Sequence, residues 1–355
     1  MSNTIVFTGG GTAGHVVVNL ALIPSFVEDG YDVHYIGSHK GIEQELVEGM
    51  KGVTYHSIST GKLRRYISVE NMKDPFRVLK GVLQARKLMK KLKPGVVFSK
   101  GGFVSVPVVM AAKWSKVPSI IHESDYTPGL ANKIATNFAK YVLTTFPESG
   151  KHLPQKKVKH IGAVVREELM QGDPAQAAEF TGLNVNQPTI LVMGGSAGAK
   201  SINEGVRGAL PELLQTYQVI HLCGKEKVDP TIEQPGYVQY EYVTDELKDL
   251  LAMSDVIVSR AGSNAIFEFL ALRKPMLLIP LSKQVSRGDQ ILNAQSFEKR
   301  GFAAVLEDEE VTAESLAKEV NQLYKNKQSM QDQMKTYEAK QTKNDVISLI
   351  HDTMK

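Results

Sequence analysis

Two stretches of this chain open alike, TIVFTGGGTAG from Thr4 and TILVMGGSAGA from Thr189: an apolar strand, a glycine turn, then a helical pattern. A strand that runs through glycines into a helix belongs to a βαβ unit, and such units build parallel sheets covered by helices on both faces. Each opening heads its own series. Short β-branched runs at 4–8, 32–36, 96–99, 117–121 and 141–144 alternate with helix-length segments, and a second set follows at 189–193, 218–222, 238–243, 255–259 and 276–281. At roughly 150 residues per domain, 355 residues hold about two. The repeat therefore predicts an α/β protein of two Rossmann-like, doubly wound domains facing a central cleft. The join falls near 150–165, where KHLPQKKVK breaks the pattern, giving domains at 1–163 and 164–339. A polar helical stretch ends the chain, and its last part, about 340–355, is placed to pack back on the first domain.

Composition excludes several classes. With 42% hydrophobic and 23% charged residues the chain is ordinary globular sequence, neither collagen-like nor low-complexity. Cys223 is the single cysteine, so no intramolecular disulfide and no multi-cysteine metal site can form, which suits a reducing compartment. No Asp-x-Asp triplet and no His-x-x-x-His spacing occurs, so neither a dedicated metal site nor a cofactor is expected. The N-terminus lacks a secretory pattern, and no segment approaches the ~18 apolar residues of a membrane span. A net charge of +4 does not by itself imply a nucleic-acid partner, and none is expected.

The glycine turns are where chemistry should lie. Gly9, Gly10, Gly11 and Gly14 allow close backbone approach, and the helix that follows presents unpaired N–H groups suited to a phosphate. Gly194, Gly195, Ser196 and Gly198 repeat the construction and add a hydroxyl. A tight connection without a ligand is the competing reading of either turn; neither matches the full dinucleotide fingerprint. His15, in the first helical turn, would face the same crevice as a neutral ring able to accept a proton, against a bland packing or capping role. His122 and Glu123 end an apolar strand before a proline and glycine turn, where Asp125 or Thr127 could instead cap the next helix. Glu268 follows the helix opening at Ala261, Gly262 and Ser263; between Phe267 and Phe269 it has apolar company unusual for a solvent-facing acid, and a carboxylate there can accept from two vicinal hydroxyls. In SRGDQILNA, Arg287, Asp289, Gln290 and Asn293 cluster at a helix start and could read sugar hydroxyls.

Eight Lys or Arg residues against one acid, Asp74, lie between Lys73 and Lys93, with Lys62, Arg64 and Arg65 upstream and Trp114 between Lys113 and Lys116. At 100° per residue Arg77, Lys80, Lys87 and Lys91 share one helix face, while Val78, Val82, Met89 and Leu92 line another. An anionic membrane surface attracts such a segment by about 1 kcal/mol per basic side chain. A solvated outer helix would look much the same.

FTGGGTAGH, SKGGFVSVPVVMAAK, IHESDYTPGLANK, GAVVREEL, VMGGSAGAK, SRAGSNAIFEFLAL and SRGDQILNA, in this order over nearly the whole chain, resemble the MurG family of glycosyltransferases. The resemblance implies the GT-B architecture and transfer of N-acetylglucosamine from UDP-N-acetylglucosamine to lipid I, the undecaprenyl-pyrophosphoryl-muramyl-pentapeptide, making lipid II for peptidoglycan. It implies a peripheral location on the cytoplasmic side of the cell membrane, with room for contacts with other cell-wall synthesis proteins. Carried over by motif, Thr12, Ala13 and Gly14 lie by the donor with His15 as candidate base; Arg166 and Ser196 meet the diphosphate side, the Val243 backbone meets uracil, Glu268 the ribose and Gln290 the sugar. His122 and Glu123 fall on the acceptor side. Many relatives have HEQN in place of HESD at 122–125 and tyrosine in place of Phe103. Two other readings stay open: a UDP-N-acetylglucosamine 2-epimerase, which needs no lipid, and a non-catalytic nucleotide-sugar-binding module.

Overall fold

The computed structural model describes residues 2–61, 69–195, 197–337 and 342–354, with the side chains of all of these but 69–73. Two compact units emerge, Met1–Val165 with Ala339–Lys355, and Arg166–Glu338.

In the first unit β1 (Thr4–Thr8), α1 (Val17–Glu28), β2 (Asp32–Ser38), α2 (Ile42–Val47), β3 (Val53–Ile58), α3 (Val69–Leu92), β4 (Val96–Ser99), α4 (Ser105–Trp114), β5 (Ser119–Glu123), α5 (Leu130–Thr136), β6 (Tyr141–Thr144) and β7 (Val158–His160) follow in order. All the strands pair in parallel, in the order β3-β2-β1-β4-β5-β6-β7. β1 is buried on both faces, so alternate residues feed different cores. Ile5 and Phe7 join α1 residues such as Leu22 and Phe26. Val6 turns to the opposite face, with Val82, Ala85 and Met89 of α3 and Val108 and Ala111 of α4.

The second unit repeats the plan with α6 (Pro174–Thr181), β8 (Thr189–Met193), α7 (Lys200–Leu213), β9 (Gln218–Leu222), β10 (Tyr237–Tyr240), α8 (Leu247–Met253), β11 (Val256–Ser259), α9 (Ser263–Ala271), β12 (Met276–Leu278), α10 (Asp289–Lys299), β13 (Ala304–Val305), α11 (Ala313–Lys325) and α12 (Lys327–Met334). Its parallel sheet runs β10-β9-β8-β11-β12-β13. Ile190 and Val192 of β8 pack under Ile202 and Val206 of α7 and Leu316 and Val320 of α11.

The final helix, α13 (Thr342–Met354), belongs to the first unit. Val346 and Ile350 enter its core, and the His351 ring stacks on Phe26 with centroids 5.3 Å apart. The Thr342 hydroxyl donates to the Ile161 carbonyl at 3.1 Å.

Three strands have no counterpart among the expected runs. β3, β7 and β13 lie at sheet edges, where a strand is half solvated; β3 and β7 mix polar with apolar residues and β13 has only two residues, so no continuous β-branched run marks them. β5 lies at Ser119–Glu123 and not at 117–121, and β10 at Tyr237–Tyr240 and not at 238–243.

Candidate functional site

In a parallel sheet every loop after a strand emerges at one edge, and the crevice lies where the chain order reverses. In the first unit that point is between β1 and β4; in the second, between β8 and β11. The glycine loops leave these strands.

After β1, Gly9 and Gly10 are buried, Gly11 and Thr12 are exposed, and Ala13–His15 form a single 3-10 turn ahead of α1. Thr12 Oγ1 and His15 Nδ1 are 2.9 Å apart. Which of them donates depends on the tautomer: when Nδ1–H donates to Oγ1, the Nε2 lone pair is the basic site. The loop after β4 stacks on this turn. A Cβ on Gly102 would lie 2.1 Å from the Gly10 carbonyl oxygen, and one on Gly11, whose φ is +90°, would strike the Phe103 ring at 2.4 Å.

His122 and Glu123, at the end of β5, are turned into the protein, with 1% and 4% exposure. Burial, then the Lys100 charge, holds the His122 imidazole well below its usual range. Glu123 accepts from the Asp125 and Gly129 backbone N–H groups at 3.0 and 2.9 Å and from Asn132 Nδ2 at 2.9 Å. Burial, then the Asp125 charge, pushes its carboxyl up. The cap of α5 also differs from expectation: Gly129 is the N-cap, and neither Asp125 nor Thr127 is. Glu123 therefore shapes the 124–129 loop from beneath, while His122 Nε2 stands 3.4 Å from Thr145 Oγ1 on the neighbouring strand end. Lys100 lies fully buried beside them, its Nζ donating to Ser124 Oγ at 2.7 Å, and burial pushes that ammonium down. No pattern in the sequence singled Lys100 out.

In the second unit the turn after β8 packs on the turn after β9, where a Cβ on Gly198 would stand 2.2 Å from the Cys223 carbonyl oxygen. Ser196 lies outside the described residues. Val243, in the loop after β10, is half-buried. Arg166 and Glu268 meet each other: Nε donates to Oε1 at 2.8 Å and an NH2 nitrogen to Oε2 at 3.1 Å. Burial pushes the Glu268 carboxyl up, opposed by the Arg166 hydrogen bond and charge. On Arg166 the burial effect is outweighed by Glu268, so the guanidinium keeps its proton. Gln290, on α10 after β12, accepts the Leu281 N–H through Oε1 at 3.0 Å, which leaves its amide nitrogen as the donating end. Asn293 is buried, donating to the Ala261 carbonyl at 3.1 Å.

Two parallel-sheet units, each with a glycine loop at its switch point, are the two Rossmann-like domains of the GT-B architecture. The crystal structure of Acinetobacter baumannii MurG shares this fold with a TM-score of 0.77 at 24% identity, over 99% of this chain and 100% of that one. The glycosyltransferase family 28 N-terminal domain matches residues 5–144 and the family 28 C-terminal domain residues 189–350; the chain belongs to this family. It is 58% identical over 351 residues, 99% of this chain and 98% of the other, to the UDP-N-acetylglucosamine--N-acetylmuramyl-(pentapeptide) pyrophosphoryl-undecaprenol N-acetylglucosamine transferase of Oceanobacillus iheyensis. A Geobacillus thermodenitrificans protein of the same name is 56% identical over 354 residues, 99% of each chain.

Proposed function

We propose that this chain transfers N-acetylglucosamine from UDP-N-acetylglucosamine to the 4-hydroxyl of the undecaprenyl-pyrophosphoryl-muramyl-pentapeptide, inverting the anomeric centre. The observation that carries this reading is 58% identity, end to end, with a transferase so named. The acceptor oxygen attacks C1 of the donor sugar, and the bond from C1 to the diphosphate oxygen breaks with its electron pair leaving on UDP. His15 Nε2 takes the hydroxyl proton, with Thr12 holding Nδ1–H. Thr12, Ala13 and Gly14 border the donor. Arg166 and the helix start after Ser196 stabilise the departing diphosphate. Each Glu268 oxygen spends one lone pair on Arg166 and keeps another for the ribose hydroxyls. The Val243 backbone receives uracil, and the Gln290 amide nitrogen donates to the sugar.

UDP release measured with and without a lipid I analogue tests this directly. Release is expected only with the acceptor and undiminished in EDTA. Release of N-acetylmannosamine without acceptor would point to an epimerase instead; loss in EDTA with recovery in magnesium would overturn the assignment of the leaving-group charge to Arg166 and the helix ends.

The same reading places the first unit on the cytoplasmic face of the membrane, and α3 supports it. No helix among the described residues is long and apolar enough to cross a bilayer. Val82 and Met89 are buried as the periodicity predicts, while Arg77, Lys80, Lys87 and Lys91 are exposed. Beside those cations stand Phe76, Leu79 and Leu83, 75%, 54% and 58% exposed, with Trp114 of α4 at 48%. Apolar side chains ringed by cations suit an anionic bilayer surface. Lys62, Arg64 and Arg65 lie outside the described residues, as does the side chain of Lys73. The double substitution Phe76→Glu with Leu83→Glu is expected to lower co-sedimentation with anionic vesicles about tenfold or more, leaving turnover on a short-chain, soluble acceptor within about twofold. Equal vesicle binding by both proteins would remove α3 from the docking surface.

A further inference from the structure

Glu43 has no exposed surface, sits at the second position of α2, and is given no task by the reaction above. Its Oε2 accepts the Gly11 N–H at 3.1 Å; its Oε1 accepts the Ser38 N–H at 3.1 Å and the Ser38 hydroxyl. The glycines around it are cut to its shape: a Cβ on Gly10 would lie 2.4 Å from the Glu43 carboxyl carbon, and one on Gly41 would lie 2.4 Å from its oxygens. Two phenols complete the cluster. Tyr35 donates to the Gly9 carbonyl at 2.9 Å and Tyr55 to the Ser38 carbonyl at 2.7 Å. Burial first, and the Glu43 charge behind it, pushes both phenols up, so they stay protonated and donating.

Three successive glycines are the least restrained backbone a chain can offer, yet this turn precedes the Thr12–His15 hydrogen bond directly. The Gly11 amide, which the sequence offers to a phosphate, is instead committed to a carboxyl of the protein. We infer that Glu43 is a positioning residue for the transfer reaction: it clamps the Gly9–Gly11 turn from behind and so fixes where His15 presents its ring. This rests on the reading of His15 as the base. A misplacement of about 1 Å at a reacting group can cost about 10²-fold in rate, which sets the scale of what a clamp protects.

Glu43→Gln keeps the side-chain volume but turns an amide NH2 towards groups that are themselves donors. In the full chain, hydrogen exchange over residues 9–16 is expected to quicken about tenfold or more. The value of kcat should fall about tenfold or more, with KM for UDP-N-acetylglucosamine within about twofold. A loss of folded protein alone would quicken exchange everywhere and spare no single segment. Ser38→Ala, which removes one of the three donors, should move both readouts the same way by less, and it carries the test if the Glu43→Gln protein does not fold. Unchanged exchange at 9–16 in the variant that folds overturns the inference, and so does faster exchange with unchanged kcat. His15→Ala then separates the two readings: if it is inactive while Glu43→Gln is not, only the clamp fails; if both turn over normally, the base assignment falls with it.

Discussion

Replacing His15 with alanine is expected to lower kcat by about 10²-fold or more while UDP-N-acetylglucosamine binds with nearly unchanged affinity. The asymmetry follows from where the side chain acts. A group that moves a proton only as the new bond forms stabilises the transition state and not the bound donor, so its removal appears in kcat and not in donor affinity. Thr12→Val should give a smaller loss, about tenfold, because it leaves the ring and removes only the hydroxyl 2.9 Å from Nδ1 that holds its orientation. Single-turnover rates with donor affinity by calorimetry decide the matter. Turnover unchanged in His15→Ala would take this residue out of the mechanism.

Arg166→Ala should damage both binding and stability, because it leaves the carboxylate of Glu268, whose side chain is 8% exposed, without its partner. Removing one member of a buried pair typically costs about 3–5 kcal/mol; with Arg166 itself 25% exposed, about 2–4 kcal/mol is expected near pH 7. The donor KM should rise at the same time. The pH dependence carries the sharper test. Burial already raises the Glu268 carboxyl, and removing the cation raises it further, so the folded state holds this proton more tightly than the unfolded chain. Stability contributed by such a group is full below the unfolded carboxyl range and is lost as pH rises through the folded value. The gap between parent and Arg166→Ala should therefore be narrow near pH 4.5 and widen towards pH 7, by about 1.4 kcal/mol for each unit of extra elevation. Urea unfolding at both pH values measures it. A gap independent of pH would mean that Glu268 finds another cation.

The strands that could be read in advance were the buried ones. Val6 and Ile190 sit in strands covered on both faces, which forces continuous β-branched runs, whereas the polar, half-exposed β3 carries no such demand. The glycine turns were legible for a related reason: close backbone approach excludes a Cβ, and that exclusion is written in residue type. Glu43 and Lys100 were not legible. An acid or an amine in sequence looks solvated, and only the burial of the surrounding turns shows these to be enclosed. Helical periodicity placed Val82 and Met89 inward; the exposure of Phe76, Leu79 and Leu83 was not read from the sequence and depends on which face α4 and the sheet leave open.

What the amino-acid order determined alone is the part governed by local rules: two βαβ series, glycine turns at their heads, and a first set of polar candidates beside them. The tertiary structure decided the pairings. It joined Arg166 to Glu268 across 102 positions, turned His122 and Glu123 inward, brought α13 back onto α1, and set a carboxyl under Gly11. Those contacts link residues far apart in the chain, and their formation depends on how whole elements pack, a quantity that no window of neighbouring residues contains.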